Sequence, residues 1–141
     1  MSLGSAINVS ASALNAQRAR IEVAVSNIAN ADSTRGADGQ PYRRRDVVLS
    51  SMPINSFDSA LGRANAVGVQ VSEVIEDMGQ LRHRFDPAHP DADTDGMVAM
   101  PNVDVPEEMV DMLGAARAYQ ANLTAIGLIR DTVQRALELG K

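Results

Sequence analysis

Asp91, Asp93 and Asp95 alternate in Asp91-Ala92-Asp93-Thr94-Asp95-Gly96. Carboxylates at the first, third and fifth places, with glycine at the sixth, begin a calcium loop of the helix–loop–helix kind. Such a loop needs a bidentate glutamate at its twelfth place, and Asn102 stands there. Pro87 and Pro90 precede the run where a helix would be required. The pattern therefore reads as a solvated turn. His83 and His89 are the only histidines, and their spacing matches no zinc-ligand pattern. No metal and no cofactor is expected. Arg43-Arg44-Arg45, with Arg35 nearby, could contact phosphate. Against this, the formal net charge is −5 and aromatic residues make up only 3% of the chain, so there is no stacking platform. The run reads as a solvated strand or as salt bridges to an acidic neighbouring subunit, and nucleic acid is not an expected partner. There is no glycine-rich phosphate loop, no Gly-x-Ser-x-Gly elbow and no nucleophile–base spacing. The absence of cysteine removes thiol catalysis, disulfides and thiolate zinc sites. The expectation is a non-enzyme with no catalytic residues and no small-molecule substrate.

Asn27 and Asn30 offer a different chemistry. They lie three apart at the end of a helical pattern, so they share a face. A buried amide must be paired, and it thereby selects one helix alignment among many. The same stretch, Asn27 to Thr34, also reads as a helix stop, because Asn, Asp and Ser compete with the helical backbone.

Two long helices must position whatever these residues do. From Pro106 to Leu139 the chain has no second proline. Met109, Met112, Ala116, Tyr119, Leu123, Ile126, Arg130, Val133 and Leu137 recur every third and fourth residue, and only Arg130 breaks the apolar seam. Pro106 suits a first turn, Glu107 and Glu108 suit the positive end of the helix dipole, and Gly140-Lys141 reads as the stop. Such a helix would be roughly 50 Å long at 1.5 Å per residue. A compact domain of this chain's size is only about 35–40 Å across. The seam must then be covered by another helix, much of it from another chain. At the other end Ile7, Leu14, Ile21 and Ile28 recur every seven residues, with small residues between them. The middle holds all of the prolines, and period-2 runs such as Val67-Gly68-Val69-Gln70-Val71-Ser72. Tyr42–Leu49, Leu81–Phe85 and a stretch from Met97 interrupted near Pro101 read as further strands, and residues 52–66 as a loop. The expected fold class is α+β: long N- and C-terminal helices pairing as a coiled-coil-like axial core, with a small antiparallel β unit between them. The expected divisions are residues 1–34, 35–105 and 106–141. No basic and apolar leader and no apolar run long enough for a membrane span are visible in the sequence.

Val25-Ser26-Asn27-Ile28-Ala29-Asn30-Ala31-Asp32-Ser33 resembles the Asn-Ile/Leu-Ala-Asn signature of flagellar rod and hook axial proteins. Asp86-Pro87-Ala88-His89-Pro90-Asp91-Ala92-Asp93, Gly96, Pro101-Asn102-Val103-Asp104-Val105, Glu107 to Met112 and Ala116-Arg117-Ala118-Tyr119-Gln120-Ala121-Asn122 resemble the proximal-rod members of the flagellar basal-body rod family. Met97, Met100 and Thr34-Arg35-Gly36 stand where that family often has other residues. The resemblance implies a structural subunit of the periplasmic drive shaft, exported by the flagellar type III apparatus without a cleaved signal. It implies as partners copies of itself, other rod proteins, the membrane ring and the export-gate adaptor. The assembly interface expected on these grounds comprises Ile7, Leu14, Ile21, Ile28, Met109, Met112, Ala116, Tyr119, Leu123, Ile126, Val133 and Leu137, with Asn27 and Asn30 setting register. Two other readings share some of these features. A coiled-coil adaptor binding a partner helix would have the same seams but form an assembly of fixed size. A metal-binding periplasmic module would use His89 and the Asp91–Asp95 turn.

Overall fold

A computed structural model describes residues 3–36, 39–54 and 66–139. Helix α1 runs Leu3–Ala29 and helix α2 runs Val105–Leu139. Between them lie β1 (Arg45–Pro53), β2 (Val67–Glu76), β3 (Arg82–Phe85) and β4 (Met97–Met100). The chain is thus α+β, two long helices flanking a small antiparallel β region. The expected stop at Gly140-Lys141 and most of the expected loop at 52–66 lie outside the described residues.

Each boundary has a local cause. Asp104 caps α2: its Oδ1 accepts from Glu107 N at 3.3 Å, and its carbonyl accepts from Glu108 N at 3.0 Å. Pro106 then sits in the first turn, where no backbone donor is missed. At the end of α1, Asn30 Nδ2 donates to Ser26 O at 2.8 Å and Ser33 Oγ donates to Asn30 Oδ1 at 3.2 Å. These bonds give the last turn partners that a continuing helix would have supplied. Strand β4 stops one residue before Pro101, which has no donor for a ladder. Strand β1 begins at Arg45, later than the alternation from Tyr42 suggests, because Arg44 N is taken by Asn102 Oδ1 at 2.9 Å.

The strands form two separate pairs. In one, β1 lies beside β2. Ile54 N donates to Ala66 O at one end and Asp77 N to Arg44 O at the other, so the pairing is antiparallel. In the other, β3 and β4 are antiparallel in the register Arg82–Met100, His83–Ala99, Arg84–Val98 and Phe85–Met97.

The chain divides into two compact units, each holding a piece of both helices. One unit contains the described parts of residues 3–19, 48–73 and 114–139. Its closest approach is at Gly68, where a Cβ would lie 2.7 Å from Ser12 Oγ and 3.1 Å from Ile54 Cδ1. Ser12 Oγ accepts from Val69 N at 3.1 Å and donates to Val9 O at 2.7 Å, tying β2 to α1. The valine alternation therefore does not mark the covered side: Gly68 is buried and Val69 half-buried, while Val67 and Val71 are exposed. A strand can sit this close to a helix only where it has no side chain.

The other unit contains the described parts of residues 20–47 and 74–113. Val98, Met100, Pro101 and Val103 form its apolar centre. The guanidinium of Arg82 donates to the carbonyls of Pro101 and Val103, closing the chain between β4 and α2. The Asp91–Gly96 stretch is the turn region between β3 and β4. Asp93 Oδ1 accepts from Asp95 N and Met97 N at 2.9 and 2.8 Å, and Gly96 takes φ +74°. Asp91 reaches away from that turn: it accepts from Thr34 Oγ1 at 2.9 Å and pairs with Arg35 at 2.9 Å. The alternating aspartates thus do different jobs, one folding the turn and one fastening the segment after α1.

Candidate assembly interface

In extended backbone successive side chains point to opposite sides. The run Arg43-Arg44-Arg45 is split accordingly. Arg44 turns inward, and its Nε donates to Glu108 Oε1 at 2.6 Å. Arg43 and Arg45 turn the other way, where Arg45 pairs with Glu76 at 3.1 Å and lies 5.6 Å from the centre of the Tyr42 ring.

Glu108 and Asn27 are the buried centre of this unit, 2% and 0% exposed. Asn27 Nδ2 donates to Glu108 Oε2 at 2.9 Å and to Arg45 O at 2.8 Å. Its Oδ1 accepts from Arg45 N and Tyr42 Oη, both at 2.9 Å. Both donors and both acceptor sites of the amide are therefore filled. Glu108 has a cation on one oxygen and an amide on the other. Burial disfavours the Arg44 charge, but the hydrogen bond and field of Glu108, aided by Asp46 and Glu107, outweigh it and hold the guanidinium pKa above its usual value. This arrangement holds charge and geometry.

The expected seam residues fall into two rows on α2. Met112, Tyr119, Ile126 and Val133 are half-buried, in phase with buried Glu108 and Ala115 and half-buried Asn122 and Ile129. These positions are spaced four and three apart, so they are the face α2 turns toward its own chain. Met109, Ala116, Leu123 and Leu137 are exposed, one residue further round the helix. Apolar pattern alone selects them because the buried row contains the polar Glu108 and Asn122. Glu108 is satisfied as described, and Asn122 Nδ2 donates to Ala118 O at 2.8 Å. On α1 the buried positions are Ser5, Ala16, Ala24 and Asn27, while Ile7, Leu14, Ile21 and Ile28, and Asn30 just after the helix, are half-buried. Asn30 bonds only within its own helix end, whereas Asn27 joins α1, the start of β1 and the first turn of α2.

Sequence reading did not single out Glu108, Arg44, Tyr42, Ser12 or Gly68 for these roles. One signal was available for Glu108: it lies one heptad before the small Ala115, on a row whose other members are mostly apolar.

The exposed row continues with Leu113, and Leu128 is exposed on another side of the helix. Long helices with an uncovered apolar face, joined through a buried polar clamp, define a structural protein built for packing. Comparison with known proteins agrees. A family model described as "Flagella basal body rod protein" matches residues 7–37, and one described as "Flagellar basal body rod FlgEFG protein C-terminal" matches residues 94–139. The chain is 43% identical over 141 residues to the flagellar basal-body rod protein FlgC of Salmonella typhimurium, covering all of both chains. It is 46% identical over 145 residues to that of Bacillus subtilis, covering 96% of each. It is 39% identical over 153 residues to that of Borreliella burgdorferi, covering 99% of this chain and 98% of the relative. The chain belongs to the flagellar basal-body rod protein family, and its function is that of a structural rod subunit.

Proposed function

We propose that this subunit assembles through its terminal helices, with the exposed row of α2 meeting helices of neighbouring rod subunits. One observation carries the reading: Met109, Leu113, Leu123 and Leu137 remain exposed in the single chain, between 42% and 68%. An apolar row of that extent on one helix is an interaction surface. The half-buried Ile7, Leu14, Ile21 and Ile28 of α1 would complete the packing, and Asn27 would act indirectly by holding α1 and α2 in alignment. The subunit would work as part of the periplasmic drive shaft, carrying torque from motor to hook and filament. It would reach that place through the flagellar type III apparatus and contact other rod proteins, the membrane ring and the export-gate adaptor. Torque would be borne by many apolar contacts in parallel, each fully buried Leu or Ile contributing about 1.5–3 kcal/mol. The protein would have no catalytic role.

Leu123→Asp tests the reading in the native cell. Leu123 is 42% exposed, so the charge should shift the stability of the isolated chain by about 0.5 kcal/mol or less. The expected outcome is normal protein level, loss of basal bodies and loss of swimming. Intact rods and swimming would remove the α2 row from the interface.

A further inference from the structure

Arg43 and Arg45 line a cleft of about 470 Å³ together with Arg35, Tyr42, Glu76 and Met78. The cleft lies wholly within the unit that holds the Asn27–Glu108 clamp. Its three guanidinium groups are not equivalent. Arg35 is paired with Asp91 and Arg45 with Glu76. Arg43 Nη1 donates only to the carbonyls of Asp77 and Gly79, at 3.4 and 3.2 Å. Among the described residues no carboxylate neutralises Arg43. The cleft therefore has a cation with spare capacity, an aromatic ring and an exposed methionine at its edge. That combination takes a carboxylate on a short peptide segment.

The chain has a segment of that chemistry. Asp95 is exposed at the tip of the β3–β4 turn. Its backbone N–H is held by Asp93 Oδ1, and the left-handed Gly96 follows it. Among the described residues its carboxylate has no hydrogen-bond or ion-pair partner. A rigid turn presents such a group with little ordering cost on binding. Among the described residues the subunit thus carries a cation without a carboxylate partner in a cleft and a carboxylate without a partner on a projecting turn. We propose that the Arg35–Arg43–Arg45 cleft of one copy receives the Asp93–Asp95 turn of a second copy, with Arg43 and Asp95 as the central pair. The contact rests on the self-assembly reading above and adds a polar, orientation-setting element to the apolar helix row. Charge complementarity favours correct encounter and register over raw affinity.

Cysteine cross-linking tests it, because the chain has no cysteine of its own. Met78→Cys, at the cleft edge, and Thr94→Cys, on the turn, are expressed together as separate copies in one cell. After mild oxidation of isolated basal bodies, a disulfide-linked dimer containing one of each is expected. Basal bodies that yield no mixed dimer overturn the proposal. Arg43→Gln and Asp95→Asn provide a second measurement: Asp95 has no side-chain partner among the described residues, and Arg43 gives up only its bonds to the Asp77 and Gly79 carbonyls, at 3.4 and 3.2 Å. Each should cut swimming at least several-fold at low ionic strength, where a charge pair is least screened, with normal protein level. Unchanged swimming in both overturns the contact. Loss with Arg43→Gln and none with Asp95→Asn also overturns it, since the cleft would then hold another protein. The helix reading fails separately: Leu123→Asp decides that, and a non-swimming Leu123→Asp strain beside swimming Arg43→Gln leaves the rod interface standing and this contact refuted.

Discussion

Asn27 shows how one side chain can hold three pieces of chain. Its amide has no free donor or acceptor site, and it is fully buried. Asn27→Leu should therefore cost more than its own bonds, because Arg45 N–H and C=O and one Glu108 oxygen lose a partner, and the Tyr42 hydroxyl keeps only Ser26 Oγ at 3.4 Å. At about 1–3 kcal/mol per orphaned group, partly relieved by relaxation, a loss of roughly 3 kcal/mol is expected from urea unfolding of the purified chain. Glu108→Ala should cost a similar amount, about 3–5 kcal/mol, since it leaves Arg44 half-buried without its carboxylate. The pH dependence has a definite sign. Arg44 has a raised pKa in the folded chain, so its contribution is fully present below the unfolded value and is lost only as pH rises through the higher folded value. The stability difference between the native chain and Arg44→Met should then be flat between pH 6 and pH 9 on account of this group. A difference that fell steadily across that window would show that the Arg44 charge is not what the clamp uses.

Among the elements, β2 and α1 approach closely at Gly68. Gly68→Ala places a methyl 2.7 Å from Ser12 Oγ, which is itself fixed by two hydrogen bonds. The strand must shift, and a loss of about 1–3 kcal/mol is expected in thermal or urea unfolding. The double variant Gly68→Ala with Ser12→Gly should recover part of the steric cost while losing the Val69 bond, so its stability should fall between those of the native chain and the single variant. The turn between β3 and β4 is a second such point. Gly96 adopts a left-handed backbone, and a Cβ there would also lie 3.0 Å from Pro87 Cγ. Gly96→Ala should lower stability by at least about 1 kcal/mol. Elements of the right type were legible from period, prolines and glycines. Their facing was not. The valine alternation of β2 points Val67, Val69 and Val71 one way, yet closeness at Gly68 decides which side meets the helix. The same holds for α2, where polar Glu108 and Asn122 occupy the inner row and displace the apparent seam by one residue.

At the scale of the whole molecule, the apolar row left exposed on α2 is what the chain offers to others. Leu123→Asp and Leu113→Asp should both leave the isolated chain folded by circular dichroism and abolish rod assembly, whereas Gln120→Asp, between them on the exposed side, should be milder in both respects. Equal loss from all three would point to general misfolding in the cell in place of a directed surface. The sequence by itself determined that there are two long helices around a small β region and which family signature the chain bears. Those properties rest on local periodicity, on residue types and on contiguous motifs, all of which are written along the chain. Only the tertiary structure decided that Arg44 turns in while Arg43 and Arg45 turn out, that Glu108 is paired and buried, and that Asp91 fastens the segment after α1. These depend on partners tens of residues away. A polar side chain's place inside or outside is set by whether such a partner arrives, because burial without one is too costly to persist.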